Sequence, residues 1–133
     1  IKQSTLEEWN DKKIIEWRGW VTDVKDLLLE TDVLCLPSYR EGLPKSLLEG
    51  AAIGLPLVTT NTVGCREVVS DGVNGYIVPV KESQKLSLAI QKLIMNKELR
   101  VRMGKESLKI AKTKFSSEII NSQTISIYDE LSI

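Results

Sequence analysis

The sequence predicts an α/β domain with a doubly wound parallel sheet of about four strands, followed by carboxyl-terminal helices. Four short apolar runs, rich in valine, isoleucine and leucine and bounded by turn-forming residues, are typical of strands buried on both faces. These runs are residues 13–19, 32–38, 55–61 and 75–80. Segments with helical spacing separate them, and this alternation indicates parallel strands joined by right-handed crossovers.

Helices are predicted between the strands and throughout the last third of the chain. The segments 23–31 and 44–54 carry apolar residues at helical spacing, and the clearest set, which extends one residue beyond the second segment, is Leu48, Ala51, Ala52 and Leu55. After residue 82 the pattern is purely helical, with helices predicted at 83–95, 97–112 and 117–131. Since no repeat, low-complexity tract or linker divides the 133 residues, they are predicted to form one domain, 1–133.

Composition excludes several classes of function. The 18 basic and 18 acidic residues balance, so no basic field favours a nucleic acid partner. The absence of histidine removes Ser-His, Cys-His and histidine-metal arrangements, and leaves carboxylates, amides and lysines for any polar chemistry. No apolar stretch approaches the length of about 20 residues that spans a bilayer, and the amino end lacks a signal-peptide pattern.

The two cysteines are predicted to be reduced thiols of a cytoplasmic protein. Cys35 and Cys65 lack the spacing of a zinc site and the density of a disulfide scaffold. Cys35 lies inside the apolar run "DVLCLPS", which favours packing in the core over reactivity.

The segment 40–52, "REGLPKSLLEGAA", predicts a helix whose amino end can bind an anion. Pro44 suits the first helical position, because its missing N–H would have no partner there. Nearby amides then point out of the positive end of the helix, at the edge of the sheet where ligands usually bind. These are the amides of Leu43, Lys45, Ser46 and Leu47.

Two carboxylates, Glu41 and Glu49, bracket this helix start. Carboxylates repel phosphate, so they can only accept hydrogen bonds from hydroxyls carried on either side of the anion. A diphosphate flanked by two polyols meets these demands. The sequence therefore predicts a nucleotide diphosphate sugar as the ligand, with the ribose hydroxyls on Glu49 and a sugar hydroxyl on Glu41.

Residues 17–80 resemble a known family. The two glutamates follow "LPSYR" and precede "GLPLVTTNTVGCREVVSDGVNGYIV", a specific combination. It is similar to the retaining, nucleotide-sugar-dependent glycosyltransferases of the two-domain GT-B fold, in the group with two glutamates separated by seven residues. The resemblance implies a Rossmann-like donor-binding domain and transfer of a hexosyl-type group with retained configuration, without a cofactor or a bound metal.

The resemblance also implies roles for individual residues. Glu49 would bind the donor ribose, and Glu41 would lie beside the transferred sugar, where it acts in positioning and charge stabilisation. The amides of Leu43, Lys45 and Ser46 would hold the diphosphate. The region around Arg18 and Val21 would receive the base, largely through the main chain.

In that family the donor-binding domain normally begins with two strands that precede everything in this sequence. They would lie in the middle of the sheet, between the strands predicted at 13–19 and 32–38. We therefore expect a carboxyl-terminal domain that lacks its first two strands, in which strand 13–19 is displaced or abnormally paired. Alone it should be inactive, because an amino-terminal domain would bind the glycan or lipid-linked acceptor.

Other interpretations concern the whole chain and its basic segment. A free-standing Rossmann-like regulatory or protein-binding domain is the alternative, although Gly-x-Gly-x-x-Gly and Gly-x-x-x-x-Gly-Lys-Ser/Thr are both absent. Residues 97–114 carry seven basic residues against Glu98 and Glu106, which fits a solvated helix face. Contact with an anionic membrane surface or with a phosphate-bearing acceptor is the alternative there. The protein is expected in the cytoplasm, with a peripheral position at the inner membrane face as the second interpretation.

Glycines after the third predicted strand are expected to serve turns of the backbone. They are Gly64, Gly72 and Gly75. Close approach of a ligand is the alternative role for Gly64.

Overall fold

The computed structural model describes the backbone of residues 1–131 and the side chains of residues 1–123, 125 and 126. The elements are α1 (Gln3–Asp11), α2 (Val24–Leu29), β1 (Leu34–Leu36), α3 (Lys45–Ile53), β2 (Leu57–Thr60), α4 (Val63–Val68), β3 (Gly75–Val78), α5 (Ser83–Ile94), α6 (Lys97–Lys114) and α7 (Ser117–Leu131). The three strands are parallel in the order β1-β2-β3. The predicted α/β class with a doubly wound sheet is confirmed.

Helices cover both faces of the sheet. Neighbouring residues of a strand point to opposite faces, and β2 places Leu57 in one buried cluster and Val58 in another. The first cluster contains Leu47 and Ala51 of α3 and residues of α4, whereas the second contains Leu93 of α5 and residues of α6. The continuous apolar run of β2 is therefore explained by burial on both sides.

Helix α3 ends at a glycine and packs closely on α6. Gly54 adopts φ +86, and the amides of Gly54 and Leu55 donate to the carbonyls of Ala51 and Gly50 at 3.0 and 2.9 Å. Such a left-handed residue satisfies carbonyls at the end of a helix. A β-carbon at Gly104 of α6 would lie 2.1 Å from the Gly54 carbonyl oxygen, so the two backbones are in direct contact.

The prediction of a strand at 13–19 is wrong. Among the described residues, the sheet has three strands rather than four. The amides of Ile14 and Ile15 both donate to the carbonyl of Trp9, so they close the end of α1 and extend no ladder. The side chain of Ile14 is 65% exposed. An apolar run forms a strand only where a neighbouring strand accepts its hydrogen bonds, and none of the described strands pairs with this segment.

Two helices were not predicted. Helix α1 has no fully buried residue, and its apolar side consists only of Leu6 and Trp9, which is too few residues for a clear periodic signal. Helix α4 is six residues long and contains Gly64, which was expected at a turn. No helix within residues 1–131 is long and apolar enough to cross a membrane.

Both cysteines serve packing. Cys65 is fully buried in the first cluster, and Cys35 packs against the second. Burial raises the pKa of the Cys35 thiol by desolvation, which lowers its thiolate fraction and its reactivity. Both are free thiols.

A buried asparagine connects the loop before β3 to its neighbours. Asn74 is 0% exposed; its Oδ1 accepts from the Ser70 amide at 2.7 Å, and its Nδ2 donates to the Val68 carbonyl at 3.1 Å. Its own carbonyl accepts from the Leu57 amide at 3.1 Å and from Ser107 Oγ at 3.2 Å. One residue therefore links α4, β2 and α6.

We expect Asn74→Leu to lower the free energy of unfolding by about 2–3 kcal/mol, because two buried backbone groups lose their partners. Urea unfolding measures the loss. Asn121→Leu, at an exposed position of α7, should change stability by less than about 0.5 kcal/mol. Equal effects of the two substitutions would contradict this role.

Candidate functional site

The predicted site lies at the edge where the strands end. Because the strands are parallel, Leu36, Thr60 and Val78 end at the same edge. Two hydroxyls of β2 hold the loop after β1: Thr59 Oγ1 donates to the Leu36 carbonyl at 2.9 Å, and Thr60 Oγ1 donates to the Ser38 carbonyl. The path of this loop toward α3 is thereby fixed at its start.

The same loop also turns on itself. Ser38 Oγ donates to the carbonyl of Arg40 at 3.2 Å and accepts from the amide of Arg40 at 3.3 Å. Pro44 then ends the loop as the cap of α3, with an extended backbone (φ −73, ψ 112), so the helix begins one residue later than predicted.

Backbone amides at the start of α3 are available to a ligand. Within residues 1–131, the amides of Leu43, Lys45 and Ser46 have no recorded acceptor, as expected for a helix amino end. Leu47 differs from the prediction, because its amide donates to the Pro44 carbonyl at 3.1 Å and its side chain is fully buried. Leu47 is therefore a core residue, and three of the four predicted amides remain free.

Glu49 and Lys45 lie on the same face of α3, one turn apart. Lys45 Nζ lies 3.6 Å from Glu49 Oε1, and the side chains are 88% and 39% exposed. An exposed pair of this kind is weak, because solvent screens both charges. A ligand that offers an anion to Lys45 and hydroxyls to Glu49 can therefore displace it at little cost.

Glu41 lies in the loop before α3 and is half-buried. No hydrogen bond or ion pair of its carboxylate is found in the described part of the chain. The direction of this side chain therefore depends on the backbone that carries it. A carboxylate without a partner in the protein can accept a hydrogen bond from a ligand hydroxyl or face a developing positive charge.

A cavity of about 590 Å³ opens beside Lys45 and Glu49. Apolar side chains form much of its lining, among them Leu48 of α3 and Phe115 after α6, and Lys112 adds a second positive charge. The lining of the cavity is thus mainly apolar, with Glu49 as its acidic residue and Lys45 and Lys112 as its basic residues.

The structure places Arg18 and Val21 on the segment before α2. Arg18 Nε lies 2.9 Å from Glu16 Oε1, and Val21 is half-buried. Neither residue is joined by a recorded hydrogen bond or ion pair to the start of α3 within the described residues. No group of three or more His, Cys, Asp or Glu side chains that could hold a metal ion occurs there either.

Sequence reasoning did not single out Thr59 and Thr60, whose hydroxyls bond to carbonyls at the start of the loop before α3. The two threonines are buried at the end of β2, where polar residues in an apolar run are a signal of directed hydrogen bonds. Their partners lie 22 and 23 residues earlier in the chain, a separation at which the sequence gives no pairing rule.

The family comparison decides the class of protein. The family model "Glycosyl transferases group 1" matches residues 2–110, which include both glutamates and all three strands. The chain belongs to the group 1 glycosyl transferases. This membership favours a glycosyl transferase domain over the regulatory module considered from the sequence.

Two curated relatives of this glycosyl transferase domain are bacterial glycosyltransferases. It is 30% identical over 124 residues to the N,N'-diacetylbacillosaminyl-diphospho-undecaprenol alpha-1,3-N-acetylgalactosaminyltransferase of Campylobacter jejuni, covering 93% of the chain and 33% of the relative. It is 32% identical over 109 residues to the capsular polysaccharide biosynthesis glycosyltransferase CapM of Staphylococcus aureus, covering 82% and 29%. The chain thus spans about a third of the length of these relatives.

Solved structures support the fold. Anabaena HepE in complex with UDP is similar to this glycosyl transferase domain with a TM-score of 0.88 at 23% identity, over 96% of this chain and 36% of that chain. Sucrose-phosphate synthase from Thermosynechococcus elongatus gives 0.85 at 23%, over 97% and 33%. The Rossmann-like GT-B architecture implied by the resemblance is therefore confirmed for this domain.

Proposed function

We propose that this chain binds the donor of a glycosyl transfer, a nucleotide diphosphate sugar, at the start of α3. The observation that carries the proposal is the set of free amides on Leu43, Lys45 and Ser46 between the carboxylates of Glu41 and Glu49. A diphosphate matches the positive helix end, and hydroxyls on its two sides match the acids. Similar structures, in which Anabaena HepE is bound to UDP or UDP-glucose, support this ligand class.

Each residue of the site has a role in this proposal. The three amides hold the diphosphate, while Glu49 accepts hydrogen bonds from the ribose hydroxyls. Lys45 exchanges its exposed contact with Glu49 for a phosphate oxygen. The base lies against the segment that contains Arg18 and Val21.

The proposed reaction is hexosyl transfer with retention of configuration. The bond between the anomeric carbon and the diphosphate oxygen breaks, a bond to the acceptor oxygen forms, and the proton of the acceptor hydroxyl passes to an oxygen of the departing diphosphate. The helix amides stabilise the negative charge on the departing nucleotide diphosphate. Glu41 stabilises the positive charge that develops on the sugar, and no metal held by this chain takes part.

We also propose that the chain belongs to the carboxyl-terminal, donor-binding domain of a two-domain enzyme and is inactive alone. The length of the relatives supports this, and a lipid-linked or glycan acceptor would bind an amino-terminal domain. Relatives named for diphospho-undecaprenol substrates support a peripheral position at the cytoplasmic face of the inner membrane. Transfer of label from a nucleotide sugar by the 133 residues alone would contradict the proposed inactivity of the chain. A product of inverted configuration, detected by NMR, would contradict the proposed retention.

The donor site is tested with Glu49→Ala in the full-length protein. Wild-type protein should be stabilised in a thermal-shift panel by one nucleotide diphosphate and its sugars. Glu49→Ala should weaken the affinity for that nucleotide about 10- to 100-fold, because a hydroxyl pair loses a charged acceptor.

Glu106→Ala is the matched control. Glu106 is a helix glutamate of similar exposure, 40%, and its Oε2 lies 3.8 Å from Lys109 Nζ. This variant should bind the nucleotide as the wild type does. Unchanged affinity in Glu49→Ala, or an equal loss in Glu106→Ala, would overturn the assignment of the ribose to Glu49.

A further inference from the structure

A glycine of α4 is in direct contact with the loop that carries Glu41. Gly64 is buried, and a β-carbon built on it would lie 1.3 Å from the carbonyl oxygen of Gly42 and 2.8 Å from that of Glu41. Contacts of a β-carbon below 3.0 Å essentially never occur. Even the smallest side chain at this position would therefore displace the peptide bonds on both sides of Gly42.

A second contact holds the same loop from the end of β2. Thr60 is 5% exposed, and its hydroxyl donates to the carbonyl of Ser38, three residues before Glu41. Because α4 follows β2 after only two residues, Thr60 and Gly64 belong to one short stretch of backbone. The loop from β1 to α3 thus rests on this stretch at two points.

The carboxylate of Glu41 has no such support of its own. In the described residues it makes no hydrogen bond or ion pair, so its position follows from the peptide that Gly64 touches. The amide of Leu43 belongs to the same loop. By contrast, Ser46 and Glu49 lie on α3, which is anchored independently by the fully buried side chain of Leu47.

We propose that Gly64 and Thr60 are positioning residues for the transfer step: they fix the loop that aims Glu41 at the transferred sugar. The inference rests on the proposed function and deepens it. Displacement of this loop should impair transfer of the sugar more than binding of the nucleotide, because most nucleotide contacts are assigned to α3. A displacement of about 1 Å at a reacting group can cost about 100-fold in rate.

The test compares four variants of the full-length protein. Gly64→Ala and Thr60→Val should each lower kcat, the first by about 100-fold and the second by about 10-fold, while the Kd for the nucleotide diphosphate changes less than about 5-fold. Thr60→Ser keeps the hydroxyl and should retain most of the activity. Gly104→Ala forces a similar clash of backbones, at 2.1 Å, against α3 at Gly54 and away from this loop, so it should lower stability but keep kcat per folded molecule.

Several results would overturn the proposal. One is equal activity of Thr60→Val and Thr60→Ser, which decides the matter even if Gly64→Ala does not fold. A second is a decrease in the activity of Gly64→Ala that is fully explained by a smaller folded fraction of the protein. A third is an increase in the Kd of a variant for the nucleotide diphosphate that is as large, in fold-change, as the decrease in its kcat. A wild-type protein that binds no nucleotide diphosphate would refute the proposed function itself, which distinguishes the two failures.

Discussion

Glu41→Gln should lower the rate of glycosyl transfer about 100- to 1000-fold and leave the affinity for the nucleotide diphosphate within a few-fold of the wild type. The substitution keeps the shape of the side chain and removes its charge. An interaction made mainly with the charge that develops on the sugar affects the transition state more than the ground state. This selective effect on turnover is therefore the signature of the role proposed for Glu41.

The measurement is transfer of labelled sugar by the full-length protein, with nucleotide affinity determined in parallel. Glu106→Gln serves as the control, because this glutamate of α6 is partly exposed and, among the residues that the structure describes, its ion pair is with its helix neighbour Lys109. Wild-type turnover in Glu41→Gln would refute the assigned role. A matched loss of nucleotide affinity would instead assign Glu41 to binding of the ground state.

Leu47→Ala should lower the free energy of unfolding by about 3–4 kcal/mol, the largest stability effect that we predict. The side chain is 0% exposed and packs in the first cluster with Leu57 and Val68. Its truncation removes buried apolar contacts and leaves a cavity beneath α3. Because this helix carries Lys45 and Glu49, the variant should also bind the nucleotide less tightly near its unfolding midpoint.

Urea unfolding gives the size of the effect as a shift of the midpoint at unchanged slope. Leu88→Ala removes the same atoms from α5, where the side chain is 57% exposed, and should cost less than about 0.5 kcal/mol. Similar costs for the two leucines would mean that the first cluster is not the core of the fold.

Much of the fold could be predicted because strands buried on both faces leave a strong signal. The apolar runs at β1, β2 and β3 and the helical spacing in α3, α5, α6 and α7 were sufficient. The segment 13–19 also contains two isoleucines and a tryptophan, but three of its seven residues are charged, and the amides of Ile14 and Ile15 bond to the Trp9 carbonyl. Composition reports that a segment is apolar, whereas a strand also needs a neighbour, and the neighbour is a property of the folded chain.

The site could be predicted where it depends on residues that are close in sequence. It could not be predicted where it depends on contacts between segments that are far apart in sequence. Pro44 and the spacing of Glu41 and Glu49 indicated the helix start and its acids, since both follow from a short stretch of sequence. Helix α4 is too short for a periodic signal, and its first turn is defined by contact with the loop at Gly42. A glycine that permits such a contact cannot be distinguished in sequence from a glycine in a turn.

The central strand, β2, is shared by the helix layers on the two faces of the sheet, so the stability of one layer depends on the other. Leu57 and Val58 are adjacent in β2 but belong to opposite clusters, so loosening one side removes a wall from the other. We therefore expect the layers around α3 and around α5 to unfold together, as one cooperative unit. Free energy supplied by a ligand at the amino end of α3 is consequently shared by helices on the far side of the sheet, which no ligand atom touches.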